Sequence, residues 1–273
     1  MRLIGALVLG VGLVMLAPAR LAHALAESPP PLRVCADPNN LPFSSIDGDG
    51  FENRIAAVLA RELGTRVEYT WWAQRRGLVR NTLGARACDV LIGVPAGWDA
   101  VLATRPYYRS TYVFAWRRDR ALDVRGLDDP RLSTLRVGVP LIGDNGVNAP
   151  PAHALARRGI VDNVRGYPVY GDYSRPHPTA QILDAVVAGD IDVAVVWGPL
   201  AGFFADRLAA PLAFAPVTPA VDPPALAFSF AIAAGVRRDD AALRDRLQAA
   251  LDRRATEIQA ILDAYAVPRV PPP

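Results

Sequence analysis

Strands and helices alternate along this chain, and that alternation limits its fold more than any other feature. Buried strand-like segments at residues 32–37 and 88–94 flank an amphipathic helical segment at 51–64. A strand–helix–strand order is typical of parallel sheets whose faces are covered by helices. The same order returns between residues 135 and 198, without a detectable sequence repeat. The sequence therefore predicts the α/β class with two lobes.

Two extended segments connect these units. Residues 107–119 lead from the first unit into the second, and residues 225–235 lead out of it. Two crossings between two α/β lobes are expected of a hinged binding protein. The predicted boundaries are residues 27–115 for the first part of lobe 1, 116–224 for lobe 2, 225–265 for the return to lobe 1, and 266–273 for a proline-rich tail.

The N-terminus has the layout of a secretory signal peptide. Arg2 supplies a positive start, residues 3–16 are continuously apolar, and Ala24 and Ala26 form an A-x-A cleavage pattern. The alternative is a membrane anchor, but the apolar run is shorter than the ~20 residues that a spanning helix needs. We therefore expect cleavage after Ala26, a periplasmic location and no membrane anchor afterwards.

The charge distribution argues against one class of partner. The chain has 30 basic residues, all of them Arg, against 27 acidic ones. The Arg residues are scattered and form no basic block of the kind that binds nucleic acid. We expect no nucleic-acid partner.

The two cysteines of the chain, Cys35 and Cys88, predict one disulfide in an exported protein. The alternative is a pair of free buried thiols. A bond would close a loop of about 50 residues and stabilise the fold by roughly 4 kcal/mol in the chain-entropy model. The bond requires that the strand with Cys35 and the strand with Cys88 be neighbours in the sheet. A right-handed crossover places them side by side when the strand between them in sequence lies on the far side of the first.

The first strand ends in a polar turn that contains Asp37, Asn39 and Asn40. Ligands of open α/β sheets bind beyond the carboxyl ends of the strands, so these side chains are candidates to face a cleft. The alternative is an ordinary turn, because Asp, Pro and Asn favour turns for local reasons.

Further binding candidates are aromatic or cationic residues near predicted strand ends. Aromatic residues supply surface for an apolar pocket or a docking face, with core packing as the alternative. An Arg pair can hold an anionic ligand or an acidic partner surface, with solvation as the alternative. A tyrosine at the lobe crossing can contact ligand, with hinge packing as the alternative. These candidates are Phe43, Trp72, Trp98 and Trp197, then Arg75 and Arg76, and finally Tyr107.

The sequence contains no motif of a catalytic or metal site. It has no G-x-S-x-G, no phosphate-binding loop and no G-x-G-x-x-G. The two histidines of the mature chain, His153 and His177, have no further ligand at metal-binding spacing. We expect no catalytic residue, no metal and no cofactor, and hence a protein that is not an enzyme.

Several linked motifs occur in order between residues 32 and 116: "LRVCADPNNLPFS", "GFENRIA", "EYTWWAQRRGLVRNTL", "CDVLIGVPAG" and "LATRPYYRSTYVF". Together they resemble the MxaJ/XoxJ group, which are periplasmic solute-binding-like proteins associated with quinoprotein (PQQ-dependent) methanol dehydrogenases. The resemblance implies a type II periplasmic binding protein fold and a role that supports the dehydrogenase by binding. It implies the quinoprotein dehydrogenase and its cytochrome c as partners.

The chain differs from amino-acid receptors of the same fold. Those receptors carry an Arg nine residues before the "PYY" element, where this chain has Gly97, and an acid after a second-lobe strand, where it has Trp197. We therefore do not expect α-amino-acid binding. The alternative function is that of a solute-binding protein of an ABC transporter, with an unknown small organic ligand of another kind.

Overall fold

The structure, a computed structural model, describes residues 29–75, 77–141, 148–168 and 173–271. The predicted signal peptide and Arg76 lie outside these residues. The first part of the chain forms β1 (Leu32–Ala36), β2 (Asn39–Asn40), β3 (Ser44–Ser45), α1 (Phe51–Glu62), β4 (Val67–Trp71), α2 (Leu78–Asn81), β5 (Val90–Pro95), β6 (Leu102–Ala103) and β7 (Tyr108–Arg117).

The rest of the chain forms a second α/β unit and then returns. The second unit contains β8 (Val137–Leu141), α3 (Pro150–Arg157), β9 (Val164–Pro168), α4 (Gln181–Ala188), β10 (Val193–Trp197), α5 (Gly198–Phe204), β11 (Leu212–Pro216), β12 (Val221–Asp222) and β13 (Leu226–Ala227). The returning chain forms β14 (Ser229–Val236), α6 (Ala241–Arg253) and α7 (Ala255–Ala264).

The first sheet has the strand order β4–β1–β5–β14–β7, with β6 also paired to β14. Strand β1 is parallel to both β4 and β5, which confirms that the third long strand of this unit lies beside the first. Cys35 and Cys88 form the predicted disulfide, with their Cα atoms 5.4 Å apart.

Helix α1 covers one face of this sheet because its apolar residues recur at helical spacing. Phe51, Ile55 and Leu59 are fully buried along one face, where they join Leu247 of α6 and Leu262 of α7 in one core. The apolar stripes that the sequence showed in these three helices therefore all serve the first lobe.

The second sheet has the order β9–β8–β10–β7, with β11 also paired to β7. The β8–β9 and β8–β10 pairs are parallel, whereas β10 and β11 run antiparallel to β7. Separate buried clusters lie on the two faces, one with Leu155 of α3 and one with Leu183 of α4. The sequence analysis did not predict β11, which pairs with β7.

Strand β7 passes from one sheet into the other. Its first half pairs with β14, up to Thr111 opposite Ser229, and its second half pairs with β10, from Tyr112 opposite Trp197. This change of partner inside one continuous strand gives the two lobes a common hinge. The exact lobe boundaries stay a prediction.

The proline-rich tail runs along this hinge. The Ser110 hydroxyl donates to the Pro268 carbonyl at 2.6 Å, and the backbone N–H of Val270 donates to the Arg109 carbonyl at 3.1 Å. On the other side of the tail, a Cβ atom at Gly202 of α5 would overlap the Ala266 carbonyl. The tail therefore joins the hinge strand to a second-lobe helix.

Candidate functional site

A cavity of about 1060 Å³ lies between the two sheets, and we call it the cleft cavity. The carboxyl ends of β1 and β5 border it on the first-lobe side, and those of β8, β9 and β10 border it on the second-lobe side. Ligands of open α/β sheets bind at such strand ends. The topology thus places the cavity where binding is expected for this architecture.

On the first-lobe wall, the turn after β1 is held by the Asp37 carboxylate. Its Oδ1 accepts a hydrogen bond from the backbone N–H of Asn39 at 2.8 Å, and its Oδ2 accepts one from the backbone N–H of Gln74 at 2.6 Å. The side-chain amide of Asn40 donates to Gln74 Oε1 at 2.6 Å. Asp37 is only 6% exposed, and a buried carboxylate needs such donors. The turn therefore uses much of its hydrogen-bonding capacity within the protein.

Three hydrogen bonds join the two lobes at the edge of the cavity, and we call them the mouth bridge. They run from the Tyr173 hydroxyl to Asp37 Oδ2 at 2.6 Å, from the Asn39 amide to the Arg175 carbonyl at 3.0 Å, and from the Thr179 hydroxyl to the Leu41 carbonyl at 3.1 Å. Burial, together with the bond to Asp37, raises the pKa of Tyr173 above its ordinary value, so its hydroxyl remains a donor at neutral pH. The mouth bridge holds the lobes together over the cavity.

The inner wall near the hinge is aromatic. Trp197 lies at the end of β10, with its ring centroid 5.4 Å from that of Tyr112 and 5.9 Å from that of Phe230. All three residues line the cleft cavity. Burial raises the pKa of Tyr112 to about 12, so this wall carries no charge at neutral pH. It offers flat apolar surface with two polar tips, the tyrosine hydroxyl and the indole N–H.

Glu52, in the first turn of α1, brings a carboxylate into the cleft cavity. Its carboxyl group lies against Gly93 of β5, where a Cβ atom would overlap Oε1. Burial raises the pKa of Glu52 to about 7. At neutral pH this carboxyl group is therefore divided between its two protonation states.

The structure brings together most of the residues proposed from the sequence. Those that line the cleft cavity are Asp37, Asn39, Asn40, Phe43, Arg75, Trp98 and Trp197. Arg75 is exposed at the rim, and Trp98 is 38% exposed. Whether any of them contacts a ligand stays a prediction.

Two of the proposed residues are absent from this lining, and a third lies outside the described residues. Trp72 extends the ladder between β1 and β4, since its backbone N–H donates to the Ala36 carbonyl at 2.8 Å. The Tyr107 hydroxyl donates to the Ile92 carbonyl at 3.0 Å, so this side chain packs under the hinge. Arg76 lies outside the described residues.

Sequence reasoning missed several lining residues: Glu52, Tyr108, Tyr112, Tyr173 and Phe230. A signal for Glu52 was present, because it stands three and seven positions before Ile55 and Leu59 on the buried face of α1. A charged residue on an apolar helical stripe is unusual and marks a special environment. Tyr108 and Tyr112 carried no such signal, because strand alternation alone does not tell which face of β7 meets a cavity.

Two findings concern other kinds of site. Among the residues that the structure describes, no three His, Cys, Asp or Glu side chains cluster so that they could hold a metal ion. Within the same ranges, every helix is too short or too polar to span a bilayer.

Comparison with known proteins assigns the chain to a family. Residues 73–265 match the family model described as bacterial extracellular solute-binding protein. The chain is also 34% identical over 262 residues to Protein MoxJ of Methylorubrum extorquens, which covers 93% of this chain and 87% of the relative. The chain belongs to the bacterial extracellular solute-binding proteins, in the MoxJ group. The predicted resemblance is confirmed.

Solved structures of this group share the fold. The periplasmic binding protein XoxJ from Methylobacterium extorquens AM1 is 34% identical, with a TM-score of 0.73 over 88% of this chain and all of that one. MxaJ from Methylophaga aminisulfidivorans is 25% identical, with a TM-score of 0.75 over the same shares. The type II periplasmic binding protein fold predicted for this chain is thus confirmed.

Proposed function

We propose that this protein is a periplasmic binding protein that supports a PQQ-dependent methanol dehydrogenase, and that it acts by binding rather than by catalysis. Membership of the MoxJ group is the observation that carries this proposal. The resemblance of residues 32–116 to the MxaJ/XoxJ proteins links the chain to quinoprotein dehydrogenases and their cytochrome c.

The size and walls of the cleft cavity support a binding role. Its volume of about 1060 Å³ is slightly above the ~300–1,000 Å³ range of small-molecule pockets. The aromatic wall around Trp197 offers the kind of surface that anchors binding partners. Trp197 stands where amino-acid receptors carry an acid, which speaks against an α-amino acid as the occupant.

The direct test is co-purification from periplasm at moderate salt with the tagged protein as bait. We expect the quinoprotein dehydrogenase or its cytochrome c to be retained. Trp197→Ala removes the centre of the aromatic wall and is expected to weaken retention. Trp72→Phe, outside the cavity lining, is the matched control. If neither protein is retained, and deletion of the gene leaves alcohol oxidation intact, the proposal fails.

A second candidate function is that of a solute receptor for an ABC importer. The mouth bridge favours it, because a cleft held shut by polar contacts between lobes suits capture of a free solute. Thermal-shift screening with small organic solutes separates the two functions. A solute with micromolar affinity raises the melting temperature by mass action, whereas a protein that only docks to a dehydrogenase shows no such hit.

A further inference from the structure

The carboxyl group of Glu52 lines the cleft cavity without a partner among the described residues. No hydrogen bond or ion pair reaches its carboxyl oxygens from any residue that the structure describes. Asp37, in the same cavity, accepts from two backbone N–H groups and a tyrosine hydroxyl. Glu52 is partly buried and its carboxyl group lines the open cavity, so a group that enters from outside can pair with it.

The groups around Glu52 do not supply that partner. The titratable side chains that feel the Glu52 charge are three tyrosines: Tyr107 just before β7, Tyr108 of β7 and Tyr69 of β4. Burial keeps the pKa of all three above the ordinary tyrosine value, so they remain neutral. The other charged groups of the lining are Asp37, which is already paired, and Arg75 and Arg80, which are exposed at the rim.

The position of Glu52 is built into the fold. Its backbone N–H donates to the Phe43 carbonyl at 2.9 Å, which fixes the first turn of α1 against the polar turn. Gly93 leaves room for the carboxyl group on the surface of β5. A methyl group added at Gly93 would overlap the carboxyl group in its present position, so the carboxyl group would have to shift.

The aromatic wall completes a site for positive charge. Trp197, Tyr112 and Phe230 line the same cavity as Glu52. Faces of Trp, Tyr and Phe attract cations through their ring quadrupoles. An anionic occupant would meet both an uncompensated carboxylate and these negative ring faces.

We propose that the cleft cavity takes an organic cation, an ammonium or guanidinium group on an apolar body, with its charge against Glu52 and its body against the aromatic wall. This inference rests on the proposed role of the cavity as a binding site. The cation is carried either by a free amine or by a basic side chain of a partner protein.

Three probes with one aromatic body test the charge preference: 1-naphthylmethylammonium, 1-naphthalenemethanol and 1-naphthoate. Calorimetric titrations at about pH 5.5 and about pH 8.5 bracket the titration of Glu52. At the higher pH we expect the cation to bind at least about ten-fold more tightly than the alcohol and the alcohol more tightly than the anion. At the lower pH the advantage of the cation falls by about ten-fold, because Glu52 must first lose its proton.

Two variants assign the preference to this carboxylate. Glu52→Gln removes the charge and is expected to abolish the advantage of the cation while leaving alcohol binding in place. Gly93→Ala keeps the charge but displaces it, and is expected to reduce the same advantage. Glu68→Gln, on the exposed face of β4, is the matched control and should behave as the wild type. Near pH 7, cation binding also releases protons, which appears as a dependence of the binding enthalpy on buffer.

The outcomes separate this inference from the proposed function. If the three probes bind equally at the higher pH, or if Glu52→Gln keeps the cation preference, the inference is overturned and the cavity stays a binding site. If no probe binds, the inference falls together with the cavity's proposed role. Repeating the periplasmic co-purification with Glu52→Gln identifies the source of the cation. If the dehydrogenase is no longer retained, the cation is a basic side chain of the partner. If it is retained as before, and the probes show cation selectivity, the cation is a free amine.

Discussion

The two lobes carry the same ion pair at the base of their sheets. Arg33, at the start of β1, contacts Asp89 at 2.7 Å, and Arg136, just before β8, contacts Asp192 at 2.8 Å. In each lobe the Asp backbone N–H also donates to the carbonyl of its Arg. Each Arg stands in a Leu-Arg-Val triplet and each Asp precedes a Val, with the same separation in both lobes. The motif is a short internal repeat, so the expectation that the two units share no detectable sequence repeat was wrong.

The lobes differ next to this motif. In the first lobe, the residue two after the Arg and the residue before the Asp are Cys35 and Cys88, which are bonded. In the second lobe the same positions hold Gly138 and Ile191, and a Cβ atom on Gly138 would overlap Ile191 Cδ1. The same close approach of two strands is thus filled by a covalent bond in one lobe and by an isoleucine packed over a glycine in the other.

Removal of the Cys35–Cys88 disulfide gives the largest expected effect on stability. In Cys35→Ser/Cys88→Ser the loop of 53 residues in sequence separation is no longer closed. We expect the free energy of unfolding to fall by about 4 kcal/mol, with the loss concentrated in first-lobe amides. Denaturant unfolding and hydrogen exchange measure it. Reductant should destabilise the wild type and leave the variant unchanged, and an equal loss of protection in both lobes would contradict the comparison.

The packed counterpart in the second lobe is tested by Ile191→Ala. Ile191 is 1% exposed, so truncation leaves a cavity and should cost about 3 kcal/mol. Gly138→Ala alone should also destabilise, because the new methyl group meets Ile191. In the double variant the added methyl group occupies space vacated by Ile191, so the two losses should not add. Additive losses in this double-mutant cycle would show that the two residues are not partners.

Two acidic residues give a second contrast between the lobes. Asp222 in the second lobe is 3% exposed and is held by Arg157 and Arg158, whereas Glu52 in the first has no such partner. The folded pKa of Glu52, about 7, exceeds its ordinary value of 4.5, so the folded protein holds a proton that the unfolded chain releases between these values. Stability therefore falls as pH rises through this window and then levels off.

Glu52→Gln cannot ionise and should be free of this loss. We expect it to be about 2 kcal/mol more stable than the wild type above pH 7, and equal to it near pH 4. Denaturant unfolding at several pH values measures the difference. Asp222→Asn should shift stability in the opposite direction at neutral pH, since it weakens two Arg contacts. A destabilised Glu52→Gln at high pH would contradict this account.

The shared ion pair is expected to contribute less. Asp192→Asn should cost about 1–2 kcal/mol, because Arg136 loses a charged acceptor near the surface. The hydrogen bond from Arg136 lowers the pKa of Asp192, so its contribution is present above the unfolded pKa and is lost as pH falls through the folded value. Asp89→Asn is the matched variant of the first lobe. Similar pH-dependent losses of stability in the two variants would support an equivalent role of the ion pair in both lobes. A loss in one lobe only would contradict it.

The mouth bridge should show the smallest effect on stability. Tyr173→Phe removes the hydroxyl that bonds Asp37 across the cavity edge, at a cost of about 1 kcal/mol. We expect a larger radius of gyration by small-angle scattering, because one contact between lobes is lost. Tyr167→Phe, which lines the cavity without belonging to the mouth bridge, is the control. An unchanged radius would show that the hinge and tail, rather than the mouth bridge, set the closure.

The outcome for individual residues shows how far sequence patterns reach. Period and composition predicted the α/β class and the neighbouring positions of Cys35 and Cys88, because strand order follows from the handedness of crossovers. They did not separate Trp197, which lines the cavity, from Trp72, which extends a strand ladder. Trp197 ends a strand and Trp72 directly follows one, so both are large aromatic residues at a strand end, and only the tertiary structure decides which one meets the cleft.

By itself, the sequence determined the two α/β units, the disulfide and the family, since local periodicity and linked motifs are properties of adjacent residues. Only the tertiary structure decided that Glu52 enters the cavity without a partner and that Ile191 over Gly138 stands in for the disulfide. These features depend on contacts between residues far apart in the chain. Such contacts follow from how helices and sheets are placed against each other, and a single sequence does not encode that placement in any local pattern.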